Sequence, residues 1–143
     1  MVTPLRRCRF LLPTLFIVLS GCGGGRAAVE GSVTLDGVPV EAGYITFVPI
    51  EETAGSGARA KIEKGHYVID PAGRPVPGVY RVEISARRKT GKKIPIGSPA
   101  PLGTMADEEV EAVPARYNKE SKVRRELKAG PNTADFSPTS QGS

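Results

Sequence analysis

Hydrophobic and polar residues alternate through much of the chain from residue 28 onward, with the period of strands buried on one face. In "AVEGSVTLDGVPV", Val29, Gly31, Val33 and Leu35 fall on one side and Glu30, Ser32, Thr34 and Asp36 on the other, before Asp36-Gly37 supplies a turn. "GYITFVPI", residues 43–50, sets Ile45 and Phe47 against Tyr44, Thr46 and Val48, and Pro49 ends it. Ala58, Ala60 and Ile62 alternate next; Lys64-Gly65 predicts a tight connection, with the returning strand of a hairpin at His66 to Ile69. "VYRVEISAR" is the clearest strand, with Tyr80, Val82, Ile84 and Ala86 facing one way and Arg81, Glu83 and Ser85 the other. Later come "KVRREL", with Val123, Arg125 and Leu127 in register and Gly130-Pro131 closing it, and "TADF", with Ala134 and Phe136 inward.

Between these runs, "DPAGRPVPG" at residues 70–78 is too dense in Pro and Gly for a helix. From Arg87 to Met105 the alternation disappears, which predicts a long loop. The acids of Asp107 to Glu111 read as a single helical turn, ended by Val113-Pro114. About seven short strands and no helical periodicity predict an all-β protein, most simply a β-sandwich. Its expected core is Val33, Leu35, Ile45, Phe47, Ile62, Tyr67, Tyr80, Val82, Ile84, Leu127 and Phe136.

The first quarter of the chain has another logic. Arg6, Arg7 and Arg9 precede the mostly apolar stretch Phe10 to Leu19, and the small residues Ser20 and Gly21 follow. This is the order of an export signal. Ten residues interrupted by Pro13 and Thr14 fall short of the roughly 20 that a helix needs to cross a bilayer. The chain carries 20 basic and 15 acidic residues; without the three leader arginines 17 basic remain, a net charge of +2. The basic character thus belongs to the leader and does not argue for nucleic acid.

Leu19-Ser20-Gly21-Cys22 resembles the lipobox of bacterial lipoproteins. The resemblance implies that the Cys22 thiol takes a diacylglyceryl group and that the chain is cut just before it, with acyl chains such as palmitate holding the protein on a membrane. Two or more such chains convert marginal binding into stable anchoring. The alternative is an ordinary leader cut elsewhere, with Cys22 a free thiol. Cys8 lies in the leader, so the mature chain has no partner for an internal disulfide. The expected organisation is a signal peptide at 1–21, the lipidated cysteine and a Gly-rich tether at 22–27, a β-sandwich at 28–137 and a polar tail at 138–143.

"VEGSVTLDGVPVEAGYITFVP", "GHYVI" and "PVPGVYRVEI" together resemble the carboxypeptidase regulatory-like domain, a transthyretin-like or Ig-like seven-stranded sandwich found in small bacterial lipoproteins. The likeness rests on Gly31, Val33, Leu35, Asp36, Gly37, Pro39 and Val40, on Gly65 and Tyr67, and on Pro77, Gly78, Tyr80 and Val82. Pro114, Tyr117, Asn118, Ser121, Asn132 and Phe136 are similar to the ending of the lipoprotein subgroup. The resemblance implies architecture and no catalytic chemistry, since in the metallocarboxypeptidases catalysis sits in a separate zinc domain.

Candidate chemistry is sparse. His66 is the only histidine, so an ordinary zinc site lacks its ligands, and any Ser-His-Asp constellation must recruit it. No catalytic residue, metal or cofactor is expected. Asp107, Glu108, Glu109 and Glu111 lack the spacing of a known calcium loop and read as a solvated segment. Tyr44 and Tyr117 are the aromatic residues free to face a sugar. Arg87, Arg88, Lys89, Lys92 and Lys93 are the candidate anion contacts, facing anionic lipid or an envelope polymer, or else forming a solvated hairpin tip. No aromatic interleaves with them to stack bases, so nucleic acid is not an expected partner. The expectation is a non-catalytic envelope lipoprotein acting as a binding, adhesion or scaffolding module, with an unknown protein partner. The alternative is a small-ligand-binding or hydrolytic accessory domain of transthyretin-like type.

Overall fold

A computed structural model describes residues 25–141; the leader and Cys22 lie outside the described residues. The protein is all-β. Its strands are β1 (Ala27–Ser32), β2 (Thr34–Leu35), β3 (Val38–Pro39), β4 (Ala42–Pro49), β5 (Ala58–Glu63), β6 (His66–Val68), β7 (Gly78–Pro95), β8 (Met105–Glu111), β9 (Arg124–Leu127) and β10 (Gly130–Thr133). Eight of them form one sheet with the path β10-β1-β6-β5-β4-β7, and the far edge of β7 is shared by β9 at its start and β8 at its end. β2 and β3 make a separate two-stranded ladder.

The sheet's two ends, β9 and β10, are consecutive in the chain, joined by Lys128 and Ala129 alone. Such a link requires the sheet to roll until its edges meet. Across the seam Arg125 Nη2 donates to the Thr133 carbonyl at 3.0 Å, and the Asn132 side chain bonds both the N–H and the carbonyl of Lys128. The interior is one apolar cluster that includes Val29, Val33, Ile45, Phe47, Ile62, Tyr67, Ile69, Tyr80, Val82, Ile84 and Leu127. Phe47 packs against Tyr67, Tyr80 and Phe136 with ring centroids 6.2 to 6.5 Å apart.

Local chemistry explains the turns. Asp36-Gly37 and Lys64-Gly65 each place two successive residues at positive φ, the conformation of a two-residue hairpin turn that matches strand twist. Gly31 answers to space: a Cβ there would lie 2.0 Å from the Ala134 carbonyl oxygen, so only glycine lets β1 run this close to the segment after β10.

Several expectations change. Ten strands replace about seven, because the β2–β3 ladder and β8 add pairings the alternation does not display. The loop expected from Arg87 to Met105 is instead the outer half of β7, a turn, and the start of β8; the acidic turn expected at Asp107 to Glu111 is β8 itself. Neither face of this ribbon is buried in the core, so nothing enforces an apolar alternation there. Gly130-Pro131 opens β10 rather than closing a strand, with proline tolerated on the outermost strand of the path. Leu35 and Phe136 pack against the core from its rim and are half-buried. Residues 70–78 hold one 3₁₀ turn, Pro71–Gly73, capped by the Asp70 carboxylate. The polar tail lies against the first turn: Asp36 N–H donates to the Pro138 carbonyl and the Asp36 carboxylate accepts the Ser140 N–H.

Candidate functional site

β7 is the longest strand, and its pairing with β4 ends at Ala86. From Arg87 to Pro95 it continues with β8 as its sole partner, forming a two-stranded ribbon whose outer edges pair with nothing among the described residues. We call this ribbon the β-arm.

The five basic residues expected to contact anions all lie on its β7 strand and are exposed. The register sets Arg87 opposite Glu111, Lys89 opposite Glu109 and Lys93 opposite Asp107, so opposite charges face each other across the ribbon. Lys89 Nζ and Lys93 Nζ reach the two oxygens of Asp107 at 2.7 and 2.6 Å. These two lysines hold the Asp107 carboxyl at about 2, well below the usual range. A bulge between Lys89 and Lys93 carries Thr90, whose hydroxyl donates to Glu108 at 2.6 Å. Arg87, Arg88 and Lys92 form no ion pair among the described residues and remain free for another anion.

Glu111 fastens the root. Burial alone would push its carboxyl up, but donors from the Ser85 hydroxyl and the N–H groups of Ala86 and Val113 outweigh that and hold it below the usual range. Asn118 Nδ2 adds a fourth bond at 3.2 Å.

Beside the root, the β2–β3 ladder and the emerging arm enclose a groove of about 490 Å³. Leu35, Val38, Pro39 and Val40 line it with Ala86 and Ala112, and its charged residues are of both signs, Arg87, Arg88 and Lys89 with Glu41 and Glu109. An apolar trough with charges of both signs along it suits a small amphipathic ligand or an extended chain.

His66 stands exposed at the start of β6 and lines a shallower hollow with Ser32 and Asp135. Sequence order alone did not point to these three as neighbours. Ser32 donates both its hydroxyl and its N–H to Asp135 Oδ1 at 2.7 Å, which holds that carboxylate below the usual range. The serine proton is thus directed to the carboxylate and not to the imidazole, so the arrangement ties β1 to the segment after β10. Tyr44 carries the Arg59 guanidinium over its ring at 4.0 Å, and Arg116 lies 4.9 Å from the Tyr117 ring, so neither ring is bare on both faces. Arg81 pairs with Glu83 at 2.7 Å. Among the described residues no group of three or more His, Cys, Asp or Glu side chains is placed to hold a metal ion.

The residues that sequence reasoning missed are Glu111 as the arm's fastening, Val38 on the groove wall, and the exposed Ile94, Ile96, Leu102 and Met105 at the arm's turn. One signal was present: the bases of 87–93 and the acids of 107–111 are mirrored about residue 99, as an antiparallel hairpin with a turn there requires.

No family model, no curated protein and no solved structure matches this chain.

Proposed function

We propose that this protein is a lipid-anchored, extracytoplasmic β-sandwich of the carboxypeptidase regulatory-like kind. It is held in the cell envelope through Cys22 and acts by contact, as a binding, adhesion or scaffolding module, rather than by catalysis. The observation that carries this reading is the β-arm, a strand that outruns its sheet from Arg87 to Pro95 and presents both edges and both faces of a ribbon outside the body. A two-stranded ribbon is marginal by itself in water, and this one is held by cross-strand charges and by Glu111 at its root. The rolled sheet with adjoining ends supports the sandwich assignment, and the order of basic leader, apolar run and Leu19-Ser20-Gly21-Cys22 supports export and acylation. The parts are a signal peptide at 1–21, a tether from Cys22 to the start of β1 at Ala27, the sandwich from there to 137 and a short tail at 138–143. Arg87, Arg88 and Lys92 are the cations available to an anionic lipid or envelope polymer.

A second reading, small-ligand binding of transthyretin-like type, draws on the groove, whose apolar walls and charges of both signs suit a small amphipathic ligand. Fractionation of cells tests the main reading: the native chain sediments with membranes and Cys22→Ala does not. Equal distribution of the two forms contradicts it.

A further inference from the structure

The turn of the β-arm is apolar in a way the rest of the surface is not. From Ile94 to Ala106 the chain has thirteen consecutive residues without a charge. Ile94, Ile96, Leu102 and Met105 are all exposed there, and Leu102 has no cover at all. An exposed apolar cluster of this kind marks a contact with lipid or with another chain.

Its backbone is partly satisfied within the turn. Pro95, Pro99 and Pro101 have no N–H to satisfy, while the N–H groups of Ile96, Ala100 and Thr104 bond within the turn to the carbonyls of Thr104, Gly97 and Pro101. The N–H groups of Gly97, Ser98, Leu102 and Gly103 have no partner among the described residues, so the turn fits the hydrated interface and not the hydrocarbon interior. Behind the tip Lys92, free of ion pairs among the described residues, and Lys93 stand level with Asp107 and Glu108 of the partner strand, and Arg88 lies six residues back from Ile94. An unpaired lysine two residues behind an apolar tip reaches headgroups while the tip meets the acyl chains below them.

The register fixes where the tip is relative to the tether. Ser32 pairs His66, His66 pairs Glu63, and Glu63 pairs Ala42, one residue from Gly43, the partner of Ala86. Ala27 therefore lies on the opposite side of this line from Pro95. At ~3.3 Å per residue the two are roughly 40–45 Å apart along the strand direction. The residues from Cys22 to Ala27 reach at most about 18 Å. A body standing upright holds the tip clear of the surface, and a body lying down brings both ends to it.

We propose that the tip of the β-arm, residues 94–106, inserts into the interface of the same bilayer that holds the acyl anchor, giving the protein a second membrane contact. This rests on the anchoring reading above. That bilayer is the committed occupant because the anchor keeps it permanently at high effective concentration, and because Lys92, unpaired beside the tip, complements its anionic headgroups.

Acylation consumes the Cys22 thiol, so Ser98→Cys in the acylated chain accepts an environment-sensitive dye at the tip alone. The labelled protein is reconstituted into vesicles of phosphatidylethanolamine and phosphatidylglycerol, with nitroxide-labelled lipid either in those vesicles or in a second population. Insertion predicts a blue shift and strong quenching when the quencher is in the protein's own vesicles. Adding Ile96→Asp and Leu102→Asp, both exposed and outside the core, reduces that quenching several-fold while the protein still floats with lipid. Flotation without quenching overturns insertion and leaves anchoring intact; quenching only by the second population overturns the choice of bilayer. Dye burial that follows protein concentration instead of lipid assigns the tip to a second copy and overturns the proposal. Protein that fails to float overturns anchoring and insertion together.

Discussion

At the scale of single residues, the fold turns on a few contacts that leave no slack. Gly31 faces the Ala134 carbonyl so closely that a methyl group has nowhere to go without opening the β1–β10 pairing. Gly31→Ala is expected to cost about 3 kcal/mol or more, read from the urea midpoint of unfolding. The buried Tyr67 hydroxyl donates to that same carbonyl at 2.7 Å, and burial pushes its ionisation far above the usual range. Tyr67→Phe should therefore lose about 1–2 kcal/mol with little change in the unfolding slope. Alternation in the sequence was enough to turn Tyr67, Ile45, Phe47, Tyr80, Val82 and Ile84 inward. It could not reveal that Gly31 is fixed by a carbonyl more than 100 residues away, because that contact exists only after the sheet has rolled.

At the scale of elements, the β-arm was the least legible piece. A ribbon with no buried face is under no pressure to alternate, so residues 87–105 lacked the signal that identified β5 and the inner half of β7. The charges held the information instead, in the mirrored bases and acids. Asp107 makes the pairing testable. Its carboxyl sits at about 2, below the 3.8 of an unpaired aspartate, so the folded arm favours the ionised form. The stability this lends is complete at neutral pH and disappears as pH falls from about 4 to about 2. Hydrogen exchange should show arm amides losing protection across that window while core amides in β4 and β5 keep theirs. Asp107→Asn should remove most of the pH dependence, and an arm whose protection is unchanged between pH 5 and pH 2 contradicts the pairing. At the root, Glu111→Ala leaves the Ser85 hydroxyl and two backbone N–H groups without their acceptor. A cost of about 1–3 kcal/mol follows, with exchange rising first around Ala86 and Val113.

At the scale of the whole molecule, the all-β class and the presence of the inner strands were legible because each strand announces itself through its own side chains. Closure was not, since it depends on which edges meet: β9 and β10 are neighbours in sequence yet sit at opposite ends of the sheet path. The candidate site divides the same way. Its cations were visible in the sequence, whereas the groove beside them needs the β2–β3 ladder, two residues per strand, to be folded over the arm's root. On the proposed reading the protein's chemistry is attachment, with one end joined to lipid through Cys22 and the other carrying an apolar tip. The most direct test of that claim is the intact mass and N-terminal sequence of the protein extracted from the membranes of its own cells. The account predicts a chain beginning at Cys22 and carrying a diacylglyceryl group on sulfur; a free thiol at that residue, or a chain beginning anywhere else, contradicts it.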